Sequence, residues 1–258
     1  MGVLNVTPDS FYDGGKFMDD EKVLMHTKRM LEEGASFIDI GGASSRPGSD
    51  QVSPKEEIER VIPAISTILK SFPKAVISID TTSSIVAEKA VKSGAAIVND
   101  ISAGTADSRM LEAVASLGVP YIAMHMQGTP KTMQNNPTYK NIVRDVFNAL
   151  ERICNKASQL RIKQLILDPG FGFGKTLSHN YQLLNQLEKF HTPGSPLLVG
   201  VSRKSMIQKV VDVDSENALN GTTAIHTIAA QKGVSILRVH DVKEAVQVFK
   251  LVNYLNQQ

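Results

Sequence analysis

The 258-residue sequence predicts a closed (β/α)8 barrel of the TIM type, on three observations. Short apolar runs alternate strictly with helical stretches, the order that builds a parallel sheet. Eight such units fit in the chain, the number that closes a sheet on itself, with a doubly wound open sheet as the alternative. The apolar runs also end repeatedly in a polar residue followed by Gly, Pro or Ser. The clearest is Leu165-Ile166-Leu167-Asp168-Pro169-Gly170-Phe171-Gly172-Phe173-Gly174-Lys175, a buried strand stopping at a barrel mouth and passing into a substrate loop.

Taken in order, Gly2–Asn5 is the first predicted strand, followed by a long loop, Val6 to Gly15, and a helix over Asp20–Glu33. Strand Ser36–Ile40 leads into a second long loop, Gly41 to Ser53, and helix Pro54–Ser71. Barrel loops of this length on the catalytic face are lids or binding loops. Three units follow: strand Ala75–Asp80 with helix Ser83–Lys92, Ala95–Asn99 with Ser108–Ser116, and Pro120–His125 with Thr138–Arg161. Strand Gln164–Asp168 precedes helix His179–Phe190, Pro196–Val201 precedes a helical segment over Lys204–Lys232, and Ser235–His240 precedes Val242–Leu255. Gly34, Gly94, Gly118 and Gly233 stand where left-handed helix caps belong. Without a linker-like stretch, residues 1–258 read as one domain.

Bulk composition narrows the function. A net charge of +2 is too weak to point to nucleic acid or a membrane surface. No apolar run approaches the roughly 18 residues of a membrane span. The single cysteine, Cys154, rules out an intrachain disulfide and suits a reducing cytoplasm, and it falls in a helical pattern as a packed thiol. Gly170 to Thr176 resembles a nucleotide loop only superficially, because Pro169 stands where the first P-loop glycine belongs and Lys175 where the third dinucleotide glycine belongs. Clustered Cys/His ligands are absent, so a tight transition-metal site is not expected. His26, His179, His191 and His226 fall in helical patterns as surface or packing residues.

What remains is a ring of polar strand tips: Asn5, Asp39, Asp80, Asn99, His125, Asp168, Ser202 to Lys204, and Arg238 with His240. Polar groups in a barrel interior are costly unless paired, so these are expected to face ligand, metal or one another. In the second loop Arg46 supplies a fixed charge among hydroxyls, which suits an oxyanion.

These tips carry specific motifs. Met1-Gly2-Val3-Leu4-Asn5-Val6-Thr7-Pro8-Asp9-Ser10-Phe11, Asp39-Ile40-Gly41-Gly42 with Ser45-Arg46-Pro47-Gly48, Ser78-Ile79-Asp80-Thr81, Asn99-Asp100-Ile101-Ser102, Met124-His125-Met126-Gln127-Gly128, Asp168 to Lys175, Gly200-Val201-Ser202-Arg203-Lys204-Ser205 and Arg238-Val239-His240-Asp241 together resemble bacterial dihydropteroate synthase. The resemblance covers every strand end in order. It departs in the second loop, where Ala43-Ser44-Ser45 replaces the more usual Glu or Val with Ser-Thr.

The resemblance implies a cytoplasmic homodimeric transferase of folate synthesis and a sulfonamide target. It would join a dihydropterin pyrophosphate to p-aminobenzoate with Mg2+, releasing pyrophosphate. Asp168 would meet the donor edge of the pterin, Asp80 and Asn99 other ring nitrogens, Met124 and Phe173 apolar walls, and Lys204 the pterin and the p-aminobenzoate carboxylate. Asn5 would hold Mg2+, and with Ser45, Arg46, Arg238 and His240 form a pyrophosphate clamp. Phe11 and Pro47 would close on the benzoate ring with Phe173. Asp80, Lys204, Arg238 and His240 are the expected catalytic residues, and Arg203 a structural one. The alternatives are a pterin-dependent corrinoid methyltransferase, a Schiff-base lyase using Lys204, or a pterin-binding module without catalysis.

Overall fold

The computed structural model describes residues 1–7, 20–44 and 52–258. Within them the order is β1 (Gly2–Asn5), α1 (Asp20–Glu32), β2 (Ile38–Gly41), α2 (Pro54–Ser71), β3 (Ile77–Asp80), α3 (Ser84–Lys92), β4 (Ile97–Asp100), α4 (Met110–Leu117), β5 (Tyr121–Met124) and α5 (Ile142–Gln159). The order continues with β6 (Leu165–Asp168), α6 (Leu177–Asn185), a 3-10 turn (Leu187–Phe190), β7 (Leu198–Val199), α7 (Ser205–Val211), α8 (Leu219–Gln231), β8 (Ile236–Leu237) and α9 (Val242–Leu255). The sequence periodicity thus marks every strand of the ring.

β1 to β6 pair consecutively and in parallel, as do β7 and β8. Single parallel bridges, Leu167 to Leu197 and Gly2 to Val239, join the two sheets on both sides. Hydrogen bonds from Val3 N to Val239 O (3.0 Å) and from Leu167 N to Pro196 O (2.9 Å) seal those seams. The ring is closed, and the open-sheet alternative falls away. β7 and β8 are shorter than expected. Pro196 has no N–H to give a ladder, and beyond Val199 the chain already bends, Lys204 N donating to Val201 O at 3.1 Å.

The expected helical segment over Lys204–Lys232 is two helices. α7 stops at Asp212, which is left-handed at φ 53°, and the Asp214 carboxylate accepts the N–H and the side-chain amide of Asn217 to turn the chain into α8. Side chains cap some of the helix starts: Ser53 accepts Glu56 N ahead of Pro54, Asn141 accepts Arg144 N, and Thr176 and His179 form a reciprocal capping box. The four expected glycine caps, Gly34, Gly94, Gly118 and Gly233, all have positive φ.

Two apolar layers follow from the period-2 alternation of strands. Outward side chains such as Leu4, Ile40, Ile79, Val98, Ala123 and Leu167 pack under the helices. A second cluster, Met1, Ile97, Ile122, Ile166 and Leu198 with Phe37 and Ile236 against it, fills the inside of the ring. Two residues further along the same strands stand Asp39, Asn99, Met124, Asp168 and Arg238. The alternation that buries an apolar floor therefore also aims a polar layer at the mouth, where barrel chemistry sits.

Candidate active site

The polar layer is wired across the ring. Register sets Asn5 against Gly41, Gly41 against Asp80 and Asp80 against Asn99, one level on four neighbouring strands. Met124 and Asp168 share a level on β5 and β6. Arg238 reaches across from the end of β8. Its Nε donates to Asp39 Oδ2 at 2.6 Å and its Nη2 to Asp80 Oδ2 at 2.7 Å. Asn99 Nδ2 donates to the same Asp39 oxygen at 3.1 Å. Asp39 is fully buried, and this bridging role, not assigned from sequence, was signalled by a carboxylate inside the apolar run Phe37-Ile38-Asp39-Ile40.

The electrostatics follow from packing many charges into a dry mouth. Burial pushes Asp80 up to about 7 against the pull of Arg238, and Asp39, Glu57 and Asp100 add to the rise. Asp168 is raised by burial too, opposed by the Gly170 N–H and then by Lys204, Lys175 and Arg238. Burial lowers Lys204 to about 8 against Asp168, with Arg238 lowering it further and Asp80 raising it. Asp39 and Asp80 raise the Arg238 guanidinium above its ordinary value against its own desolvation. Acids and cations thus face each other in one buried network, and each is in reach of a ligand that could take over its partner's role.

The loop after β6 supplies the other wall. Gly170, Gly172 and Gly174 all have positive φ, and a Cβ on Gly170 would lie 2.0 Å from His125 O, one on Gly174 2.4 Å from Gln127 O. Only glycine lets this loop press so closely on the end of β5. Asp168 Oδ1 accepts Gly170 N at 2.7 Å, which fixes the carboxylate to the loop. Lys204 donates to Phe171 O at 2.7 Å, with its Nζ 4.6 Å from the centre of the Phe173 ring. Phe173 is half-buried beneath this cation, and Met124 is buried at the end of β5.

Of the residues named from sequence, Asn5, Asp80, Asn99, Met124, Asp168, Phe173, Lys204 and Arg238 are brought to this mouth. Asn5 Oδ1 and Asp80 Oδ2 both lie within 4 Å of the Cβ position of Gly41. His240 is exposed just beyond β8, its N–H donating to Ser202 Oγ at 3.2 Å. Phe11, Ser45, Arg46 and Pro47 lie outside the described residues. Arg203 takes the structural role expected. Left-handed at φ 54°, it grips both Asp241 oxygens at 2.8 and 2.9 Å and donates to Ser215 O and Glu216 O.

Two further residues fall within the motifs at the strand ends without a role expected of them. Asp100 is buried beneath the loop after β4 and accepts from Ser102 N, Ser102 Oγ, Gly104 N and Tyr121 OH, all at 2.7 Å. Lys175 is buried beneath the loop after β6, with four acceptors around its Nζ. Sequence ranks lysine as a surface residue.

Among the described residues no group of three or more His, Cys, Asp or Glu side chains is placed to hold a metal ion, and no helix is long and apolar enough to cross a membrane. Asn5 remains as a neutral oxygen donor beside Asp80. Such a set fits a hard cation that draws most of its ligands from substrate phosphates and water, as Mg2+ does.

With this geometry in place, the chain can be set beside known proteins. The family described as pterin binding enzyme matches residues 1–240. The dihydropteroate synthase of Haemophilus influenzae is 46% identical over 253 residues, covering 97% of this chain and 91% of that protein. A dihydropteroate synthase of Yersinia pestis, solved in complex with a sulfonamide drug, superposes with a TM-score of 0.93 at 42% identity, covering 100% of this chain and 94% of that one. The Xanthomonas albilineans dihydropteroate synthase with 4-aminobenzoic acid gives 0.92 at 38% identity, covering 100% and 92%.

Proposed function

Because the chain belongs to the pterin binding enzyme family, among its dihydropteroate synthases, we propose that its mouth condenses 6-hydroxymethyl-7,8-dihydropterin pyrophosphate with p-aminobenzoate. The observation that carries this reading is the buried network joining Arg238, Asp39, Asp80 and Asn99, with Asp168 and Lys204 close to it. A pterin offers an amino group and a ring N–H side by side, and a carboxylate answers that pair with two parallel hydrogen bonds. Asp168 takes that edge, Asp80 and Asn99 meet other ring nitrogens, and Met124 and Phe173 give the ring an apolar face. Lys204, over the Phe173 ring, lies against the pterin and meets the p-aminobenzoate carboxylate as well.

The leaving group is a diphosphate, so charge must be met where it develops. Arg238 and His240 serve there, with Ser45 and Arg46 of the second long loop. Asn5 would hold Mg2+ together with diphosphate oxygens, and the ion would supply charge neutralisation to the departing group. The reaction is dissociative in this reading. The C–O bond to pyrophosphate breaks and leaves its electron pair on oxygen, the exocyclic methylene becomes a cation conjugated with the dihydropterin, and buried Asp80 stabilises that charge. The amine nitrogen then forms the C–N bond and its proton goes to solvent. An aromatic amine is neutral at pH 7, so no strong base is needed. Phe11 and Pro47 close on the benzoate ring. The reading also takes the enzyme to be a cytoplasmic homodimer, supported by a lone thiol and by exposed Val210, Val211, Ile228 and Leu251 on α7 to α9.

Mixing the two substrates should release pyrophosphate in step with dihydropteroate. No product with both present would sink the assignment. Without p-aminobenzoate, 18O placed at the bridging position should scramble into non-bridging positions. Retention of the label would remove the dissociative step.

A further inference from the structure

We propose that Lys175 is a positioning residue: it holds the loop Gly170–Gly174 against the end of β5 so that this loop can hold Lys204 in place. The inference rests on the reading of Lys204 as a substrate ligand. Lys175 is 3% exposed, and its Nζ meets Gly170 O at 2.7 Å, Phe173 O at 3.0 Å, His125 Nδ1 at 3.1 Å and His125 O at 3.2 Å. Three carbonyl oxygens match the three protons of a charged amine, while burial lowers Lys175 to about 7, with Asp168 raising it and Lys204 lowering it further. Burial and then Lys175 itself lower His125 to about 3, so the imidazole beside Lys175 is neutral.

Two of the partners are loop carbonyls and two belong to His125, the residue that follows β5, so one side chain staples the segments together. The left-handed glycines turn Gly170 O and Phe173 O down onto Lys175 while Phe171 O faces Lys204. The same loop is therefore held by both lysines, through Gly170 O and Phe173 O for one and Phe171 O for the other. Burying an ammonium merely to close a loop is costly compared with an apolar side chain. Here the charge also lies near Asp168, which it helps to keep ionised. From outside, Gln134 Nε2 to Gly172 O and Tyr139 OH to Gly174 O, both 2.7 Å, complete the clasp.

The test uses Lys175→Met in two experiments. In the ligand-free protein, amide exchange on the peptide spanning residues 168–176 should speed up about tenfold, with β3 and β4 unchanged; unchanged exchange at 168–176 overturns the proposal whatever the enzyme catalyses. In turnover, Lys175→Met should raise KM for p-aminobenzoate about tenfold with kcat less affected. In a Lys204→Ala background it should raise KM no further, and Lys175→Arg should recover part of the loss. Fully additive losses overturn the proposal, since the effect would not pass through Lys204. Lys175→Gln, which keeps two N–H donors, replaces the methionine variant if that fails to fold, with the same outcomes. A wild-type protein without synthase activity would sink the functional reading, and the exchange experiment would still decide this one.

Discussion

Asp168 is a strand residue whose neighbours are Ile, Leu and Pro, yet it ends in a buried carboxylate, to which the proposed function gives the donor edge of the pterin. Asp168→Asn keeps the shape and exchanges one acceptor for a donor. Pterin affinity should fall roughly ten- to a hundredfold, the worth of a charge-assisted hydrogen bond. Calorimetry with a pterin checks this, and unchanged affinity would remove Asp168 from the ring edge. Lys204 gives a pH signature. Its buried ammonium titrates near 8, well below an ordinary lysine, so the charged form is present below that pH and is lost as pH rises through it. The kcat/KM for p-aminobenzoate, which reports the free enzyme, should therefore fall on the alkaline side of about 8. Lys204→Arg should move that limb to higher pH, and a flat profile to pH 9.5 in the wild type would detach the lysine from the amine substrate.

Elements decide where such residues point. The loop after β6 depends on glycines whose neighbours leave no room for a methyl group. Gly170→Ala would put a Cβ 2.0 Å from His125 O on a backbone at φ 71°. It should cost at least about 2 kcal/mol of stability from strain and displacement, read as a lower urea midpoint, and should raise KM through Lys204. Gly118→Ala makes the comparison, because nothing lies within 4 Å of that Cβ position and only the backbone conformation is strained. At this scale much was legible from sequence. Period-2 runs marked the strands, glycines marked the helix ends, and the Gly-Phe alternation marked the loop. The break between α7 and α8 was missed although Asp212, Asp214, Ser215 and Asn217 cluster there as turn formers, because the left-handed turn at Asp212 is flanked by helical patterns on both sides.

Across the whole molecule, Arg238 ties the last strand to the second and third through the centre of the mouth. It is a brace for the barrel as well as a candidate phosphate ligand. Arg238→Met would leave Asp39 and Asp80 without their counter-charge in a buried site, and should cost about 3–5 kcal/mol. Thermal unfolding checks this. Arg238→Met with Asp39→Asn should recover part of the loss, and equal losses in single and double variants would reject the brace.

The sequence by itself determined the barrel, the order of its units and the set of polar strand tips, because period-2 and period-3.6 patterns are local and each strand carries its own register of inside and outside. Only the tertiary structure decided which tips bind one another. That Arg238 spans Asp39 and Asp80, that Asn99 turns to Asp39, and that Lys175 lies buried under the loop it closes all depend on residues as many as 199 positions apart meeting across a closed ring. Such pairings are set by closure and by the cost of an unpaired buried charge, and neither is written in any local stretch of the chain.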